Sequence, residues 1–501
     1  MAALAVLFAL AGCTRPPQRA VERVAILPFE NLTGDTSLDW IRAAGPAMLA
    51  EQVAGSTRLF PAQSPSRSEA LIGGATRFLY CTVSRSHGGT GQALHFDFTI
   101  EDAATHKIVA SGVADGAVLF AMNTLARALE PAARPFSSPD PDAVAAWGRG
   151  EFEHAIALDA DFGAAWVSFI EQLARSSKPE DAALAADKAL SRATLRSPLD
   201  KARIQLLAAE LRKDEPARVA ALTALAALAP TDTGTLMALA DAKQKQRHYA
   251  SSAAAYRRVL AMEPANANAM NGLGYAEGEA GQVDAAVRDL ELYGRQPNQA
   301  INALDSVGEV YFMNGRFAEA EKYFSQVTAR APDFQGGAAL MKAAYARWLS
   351  SGGDVTAADA LMRRYLDARA AQKDPTALWR EAMWLYSTGR PQAAVAKLAS
   401  APADQTALQK ATIQRQLAVW RGEVKPPTDL AQIKAIYDST NPAADGLIRT
   451  IYAAALVGAG KTDDARALLK RWPLPESAGD PFLQPLVFPE FLELRRKLGL
   501  Q

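Results

Sequence analysis

The sequence predicts an α+β multidomain protein: a small N-terminal α/β domain followed by an all-α superhelical solenoid. Three observations carry this. Between residues 21 and about 130, apolar residues recur with mixed periods, some of two and some near the helical 3.6. From about residue 144 onward the chain is rich in Ala and poor in β-branched runs, as helices are. Glycines there repeat at a fixed interval, with Gly274 and Gly308, and Gly281 and Gly315, each 34 residues apart.

A chain of 501 residues is too long for one ordinary core. A repeat array escapes that limit, because each unit needs only its neighbours. Apolar residues make up 49% and charged residues 22%, so a packed interior is feasible. Lys plus Arg equals Asp plus Glu at 54 each. With no net charge and no long basic run, electrostatics give no reason to expect a nucleic-acid partner.

Only two cysteines occur, Cys13 and Cys81, which excludes a disulfide framework and a thiol cluster for zinc. Cys13 closes the apolar run "AALAVLFALAGC" in Leu10-Ala11-Gly12-Cys13. This resembles the lipobox of bacterial lipoproteins. The resemblance implies a signal peptide over 1–12, removed before a lipidated Cys13, and an otherwise soluble mature protein, since the run is shorter than the ~20 residues that span a bilayer. It further implies a cell-envelope location, on the periplasmic face of the outer membrane if the host has two membranes, because Thr14 rather than Asp follows the Cys.

The first folded element is a buried strand at Val24–Leu27, stopped by Pro28. In the helix that follows, Leu38, Ile41, Met48, Leu49 and Val53 recur at helical spacing behind candidate caps at Asp35, Thr36 and Ser37. Three strands come next, at about 77–86, 93–101 and 107–114. The middle one alternates, with Leu94, Phe96, Phe98 and Ile100 on one face and His95, Asp97 and Thr99 on the other. "SHGGTGQ" and "DAATHK" read as the turns between them. Through "VAILPFENLTGD" and "FTIEDAATHKIVASG", this β-α-β-β order resembles the small α/β domain at the N-terminus of TolB, here over residues 21–130. Cys81 reads as a small buried hydrophobe rather than a reactive thiol. Prolines at 131, 135, 139 and 141 then mark residues 131–143 as a linker.

Residues 144–501 read as repeats. The clearest copy is "ALDSVGEVYFMNGRFAEAEKYFSQVTARAP". It resembles the tetratricopeptide repeat (TPR), a helix-turn-helix unit that stacks into a superhelical solenoid. Leu304 takes the slot usually filled by Trp, Gly308 and Ala320 the close helix crossing, Tyr311 the helix-A aromatic slot, and Gly315 a turn that needs positive φ. Phe324 packs the second helix and Pro332 ends it. The preceding copy keeps Leu273, Gly274, Gly281 and Ala286 but has Glu277 in the aromatic slot.

Gly460-Lys461-Thr462 looks like the tail of a phosphate-binding loop. Ala455 stands where that loop's first glycine belongs, and a helix-like run precedes it instead of a strand. Gly460 and Ala465 reproduce the spacing of Gly315 and Ala320. The segment therefore reads as a repeat turn with Lys461 in solvent, and nucleotide is not an expected partner.

The five histidines, at 87, 95, 106, 154 and 248, have no ligand spacing, and no nucleophile or zinc-protease motif occurs. No catalytic residue, metal ligand or cofactor is expected, and the chain does not read as an enzyme.

In such a solenoid, the first helix of each unit lines a concave face that binds extended or helical peptides. The positions expected on that face are Asn268, Asn271 and Tyr275 in one unit, and Asn302, Asp305, Glu309 and Phe312 in the next. Three amides with two carboxylates suit a polar or basic extended segment. These observations imply a lipid-anchored scaffold or assembly factor of the bacterial envelope whose partners are proteins or peptides. An alternative is a non-catalytic regulatory or sensory module, since similar repeat proteins follow cyclase or DNA-binding domains. Here a lipobox takes that place. A carbohydrate-binding role would need stacked exposed tryptophans, whereas Trp348, Trp379 and Trp384 are expected to pack between helices.

Overall fold

The computed structural model describes residues 21–85, 93–192, 194–374, 376–402, 406–423, 429–442, 445–475 and 487–500. The lipobox at Cys13 and the "SHGGTGQ" turn lie outside these. The chain divides into two compact units, residues 1–236 and 237–501.

The first unit opens with β1 (Glu22–Ile26), β2 (Glu30–Asn31), α1 (Ile41–Val53), β3 (Leu59–Gln63), α2 (Arg67–Ile72), β4 (Arg77–Arg85), β5 (Leu94–Asp102), β6 (Ile108–Gly116) and α3 (Val118–Leu129). The strands form one sheet in the order β3-β1-β4-β5-β6, with β2 also on β4. Strand β1 runs parallel to β3 and β4, while β4, β5 and β6 form an antiparallel meander.

Side chains alternate across the sheet as the pleat requires. Val24 and Ile26 join a core with Met48, Leu49, Val53, Met122 and Leu125 of α1 and α3. Ala25 and Leu27 face the other way, onto Ala70 of α2 and Phe78. Leu94, Phe96 and Phe98 of β5 are buried on the α1 side, the face their alternation predicts. Cys81 is 3% exposed on β4, and burial, aided by the Asp97 charge, pushes its thiol up to about 12.

Strand β3, helix α2 and helix α3 are additions to the sequence reading. "LFPAQ" hides as a strand because Pro61 interrupts it, which an edge position tolerates.

Residues 131–143 differ from a bare linker. Phe136, Ser137 and Ser138 are buried, the Phe136 ring packs against Trp147 and Phe162, and Ser138 Oγ donates to Asp159 Oδ2 at 2.6 Å. Prolines exclude regular structure here without excluding burial. The sheet core therefore continues into α4 (Pro141–Gly148), α5 (Phe152–Leu158) and α6 (Gly163–Arg175), and the helices α7 (Pro179–Leu190), α8 (Pro198–Arg212) and α9 (Glu215–Leu228) follow. The division into units falls after Leu236, inside α10 (Thr233–Lys245).

The second unit consists of helical hairpins: α11 (Tyr249–Met262), α12 (Ala267–Glu279), α13 (Val283–Tyr293), α14 (Ala300–Met313), α15 (Phe317–Arg330), α16 (Ala338–Ser350), α17 (Thr356–Ala371), α18 (Ala377–Ser387), α19 (Pro391–Ala399), α20 (Ala407–Trp420), α21 (Leu430–Ser439), α22 (Gly446–Gly458), α23 (Thr462–Leu468) and α24 (Val487–Lys497). Gly315 turns the α14–α15 hairpin at φ +76°, the left-handed conformation that favours glycine.

Gly308 sits at a close crossing, where the side chain nearest to it is Phe324. A Cβ on Gly308 would lie 2.6 Å from the Phe324 ring. Gly460, at φ +75°, joins α22 to α23, so the Gly-Lys-Thr segment is a helical hairpin turn with Lys461 exposed. No strand precedes it to form a phosphate loop. Trp348, Trp379 and Trp384 are 6%, 3% and 3% exposed, packed between helices as expected.

Candidate partner-binding face

Helices α12, α14 and α16 are the first helices of successive hairpins, so residues about one repeat apart meet side by side. Asn266 caps α12 by accepting from the Ala269 amide, which sets the helix start just ahead of Asn268. Asn268 is exposed, while Asn271, Tyr275, Asn302 and Glu309 are half-buried. Asp305 is 3% exposed and Phe312 0%.

These residues form a polar ladder across the three helices. The Tyr275 hydroxyl donates to Glu309 Oε2 at 2.6 Å and stands 3.1 Å from Ser306 Oγ, which donates to Asn271 Oδ1 at 3.3 Å. Burial, then the Glu309 charge, raises the Tyr275 phenol well above its ordinary value, so it stays a neutral donor. Asn302 turns aside instead, its Nδ2 donating to the Tyr293 hydroxyl of α13 at 2.7 Å.

Lys342 on α16 completes the ladder, and sequence reasoning missed it. Its side chain is 2% exposed, and Nζ donates to Asp305 Oδ2 at 2.8 Å and Glu309 Oε1 at 2.6 Å. Burial alone would lower its pKa. Two carboxylates outweigh that and raise it, so the group is a fixed ammonium. A lysine in an Ala-rich helix reads as solvent-facing. The available signal is the Asp305–Glu309 pair one helical turn apart, about one repeat upstream.

Two expectations are corrected. Asp305 and Glu309 are not free for a basic ligand, because both already pair with Lys342. Phe312 does not line a groove. It packs edge-on to Phe317 at 5.2 Å, inside the core that α15 and α16 share. Phe312 follows Tyr311 in the helix, and the inward-facing one of the two is set by the hairpin crossing rather than by periodicity.

The C-terminal helices supply a second surprise. The Trp472 amide donates to the Met313 carbonyl at 2.8 Å, and the Trp472 ring meets Phe317 at 4.7 Å. Arg471 pairs with Glu279 and donates to the Tyr249 hydroxyl at 3.0 Å. Arg247 Nη2 donates to Asp445 Oδ2 at 2.9 Å in a buried pair. These contacts fall at the α10–α11, α12–α13 and α14–α15 turns. Residues near the C-terminus therefore cover that rim of the hairpins, and among the described residues Asn268, near the start of α12, is exposed.

Among the described residues, no group of three or more His, Cys, Asp or Glu is arranged to hold a metal ion. No described helix is long and apolar enough to cross a membrane.

No family model matches the chain. Among curated proteins it is 33% identical over 112 residues to TPR repeat-containing protein PA4667 of Pseudomonas aeruginosa, covering 22% of this chain and 19% of that one. It is 30% identical over 171 residues to cellulose synthase operon protein C of Escherichia coli, covering 33% of this chain and 14% of the relative. The chain thus spans less than a fifth of the length of either. Solved structures similar to it include the P58(IPK) TPR domain, at 14% identity, TM-score 0.20, 61% of this chain and 93% of that one. Another is Naa15/Naa10 bound to HypK-THB, at 15% identity, TM-score 0.26, 72% of this chain and 71% of that one.

Proposed function

We propose that this protein is a lipid-anchored scaffold or assembly factor of the bacterial cell envelope, which binds partner proteins or extended peptides on the first-helix face of its TPR-type hairpins. The observation that carries the reading is the ladder of α12, α14 and α16. Its acids are paired with Lys342 and its hydroxyls are engaged, so it holds three helices in register and presents the exposed amide of Asn268 rather than a reactive group. Side-chain amides both donate and accept, which suits the backbone of an extended segment. The relatives in the comparison add support, one being named for its TPR repeats and the other for an operon.

The anchor in this reading is Cys13, and the sheet of residues 21–130 is a TolB-like second binding module. With Lys342 occupying the acids, a polar segment fits the face better than a basic one.

The test is crosslinking pulldown from membranes with the wild type, Asn268→Arg and Cys13→Ser. Asn268→Arg, at an exposed site, should lose the partner while folding normally. Cys13→Ser should leave the membrane fraction. Retention of the partner by Asn268→Arg removes the face from the account, and membrane fractionation of Cys13→Ser like wild type removes the anchor.

A further inference from the structure

A cleft of 520 Å³ opens in the first unit, between α1 and β3 of the sheet layer and the hairpins of α4, α6 and α8. Its size is that of a small-molecule site. One side is apolar and aromatic, with Phe60 and Trp147 among small alanines. The Trp147 indole is fixed in place by donating to Ser168 Oγ at 3.0 Å.

The other side is acidic and short of positive charge. Glu51, Glu171 and Asp232 line it, and Arg203 is the one cation among its lining residues. Arg203 is already engaged, its Nη1 lying 3.4 Å from Oδ1 of Asp200. Asp200 stands behind the wall, 0% exposed, with Arg203, Ser137 and Ser197 as its polar neighbours. Glu51 and Arg203 both line the cleft and Asp200 pairs with Arg203 behind it, so two carboxyl groups stand around one guanidinium, and in the empty cleft protonation rather than a second cation relieves them.

We propose that this cleft binds an organic cation, an ammonium or guanidinium group on an apolar stem, with the charge against Glu51 and the stem against Trp147 and Phe60. A cation near an aromatic face gains from the ring quadrupole, and Glu171 and Asp232 extend the negative wall toward the mouth. Anions are repelled, and a neutral ligand gains nothing from the carboxylates.

The groups that face Glu51 are Asp200 and Arg203 of α8 and Ser137 of the packed Pro-rich stretch, and Glu171 and Asp232 line the same cleft. Burial first, then the Asp200 charge, holds the Glu51 carboxyl well above the usual carboxylate range in the empty cleft, although Arg203 and Ser137 oppose this. Binding of a cation favours the ionised form, so binding should release protons and tighten as pH rises.

The experiment is calorimetric titration of the full chain in detergent with two probes: agmatine, and an N-acetylated pentapeptide amide with one central Arg among alanines. Saturable binding of either is expected, with Glu51→Gln weakening it roughly tenfold or more, the loss that follows when a charge partner in the site is removed. The binding heat should vary with the buffer's ionisation enthalpy in wild type and not in Glu51→Gln. Tighter agmatine binding identifies a free amine as the source, and tighter peptide binding a partner's side chain. Glu171→Gln, nearer solvent, carries the same test at smaller amplitude if Glu51→Gln does not fold. Absence of binding by both probes at millimolar concentration, or wild-type affinity in the folded variants, overturns the proposal.

Discussion

Lys342 shows what one buried charge does to a repeat array. With Asp305 and Glu309 it forms a triad that desolvation makes expensive and mutual attraction repays. Lys342→Met should cost about 3–5 kcal/mol in urea unfolding, because two carboxylates are left without their cation. Adding Asp305→Asn and Glu309→Gln should recover most of that, and a single variant as stable as wild type would mean the ammonium is not where it is drawn.

Glu277 is the second informative residue. It is 1% exposed, pairs with Arg257, and has its carboxyl raised to about 7 by burial first and the Asp289 charge second. A carboxyl raised on folding holds its proton better in the folded state. Its contribution is complete below the unfolded value of 4.5 and is lost as pH rises through about 7. Glu277→Gln should therefore narrow the stability difference between about pH 5 and pH 8, as read by thermal unfolding at both. An unchanged difference would place the titration elsewhere. Glu277 was visible in the sequence as an acid in an aromatic slot. Lys342 was not, because its partners come from a preceding repeat and burial of a lysine is decided in three dimensions.

Among the elements, the hairpin crossing is the unit of construction. Gly308 leaves room for the Phe324 ring, and Gly274 likewise for Leu290, where a Cβ would lie 2.5 Å from Cγ. Gly308→Ala should cost about 1–3 kcal/mol by overpacking, measured by denaturant unfolding, while Gly458→Ala, with open space around it, should stay near neutral. Equal effects at both sites would show that helix propensity and not the crossing decides. The 34-residue glycine spacing made these hairpins legible, since glycine at a positive-φ turn or a close approach is forced by geometry. Other turns were harder to read. Ser177, Lys213 and Arg247 adopt φ of 58°, 55° and 60° without glycine, and only their position between helices reveals them. Strand β3 was lost for a similar reason, its Pro61 being a strand breaker everywhere except at an edge.

On the scale of the whole molecule, local signals were outweighed by long-range packing. Prolines marked 131–143 as a boundary, yet Phe136 pins that stretch into the core that the sheet and first hairpins share. The return of Arg471 and Trp472 onto the α12–α13 and α14–α15 turns joins residues roughly 150 or more positions apart, a distance at which periodicity carries no information. Of the seven residues expected on the partner face, Asn268 is exposed, four are half-buried, and Asp305 and Phe312 are interior. Helical period locates a stripe, but its depth depends on the neighbouring hairpins.

In the proposed function, the exposed start of the α12 face meets the partner. It is tested most directly by placing a photo-crosslinking amino acid at Asn268 in membranes that contain the full chain, with the same group at exposed Lys322 on α15 as the control. The account predicts a discrete adduct from position 268 and none from position 322. An adduct from 322 with none from 268 would put the partner on the second-helix surface and contradict it.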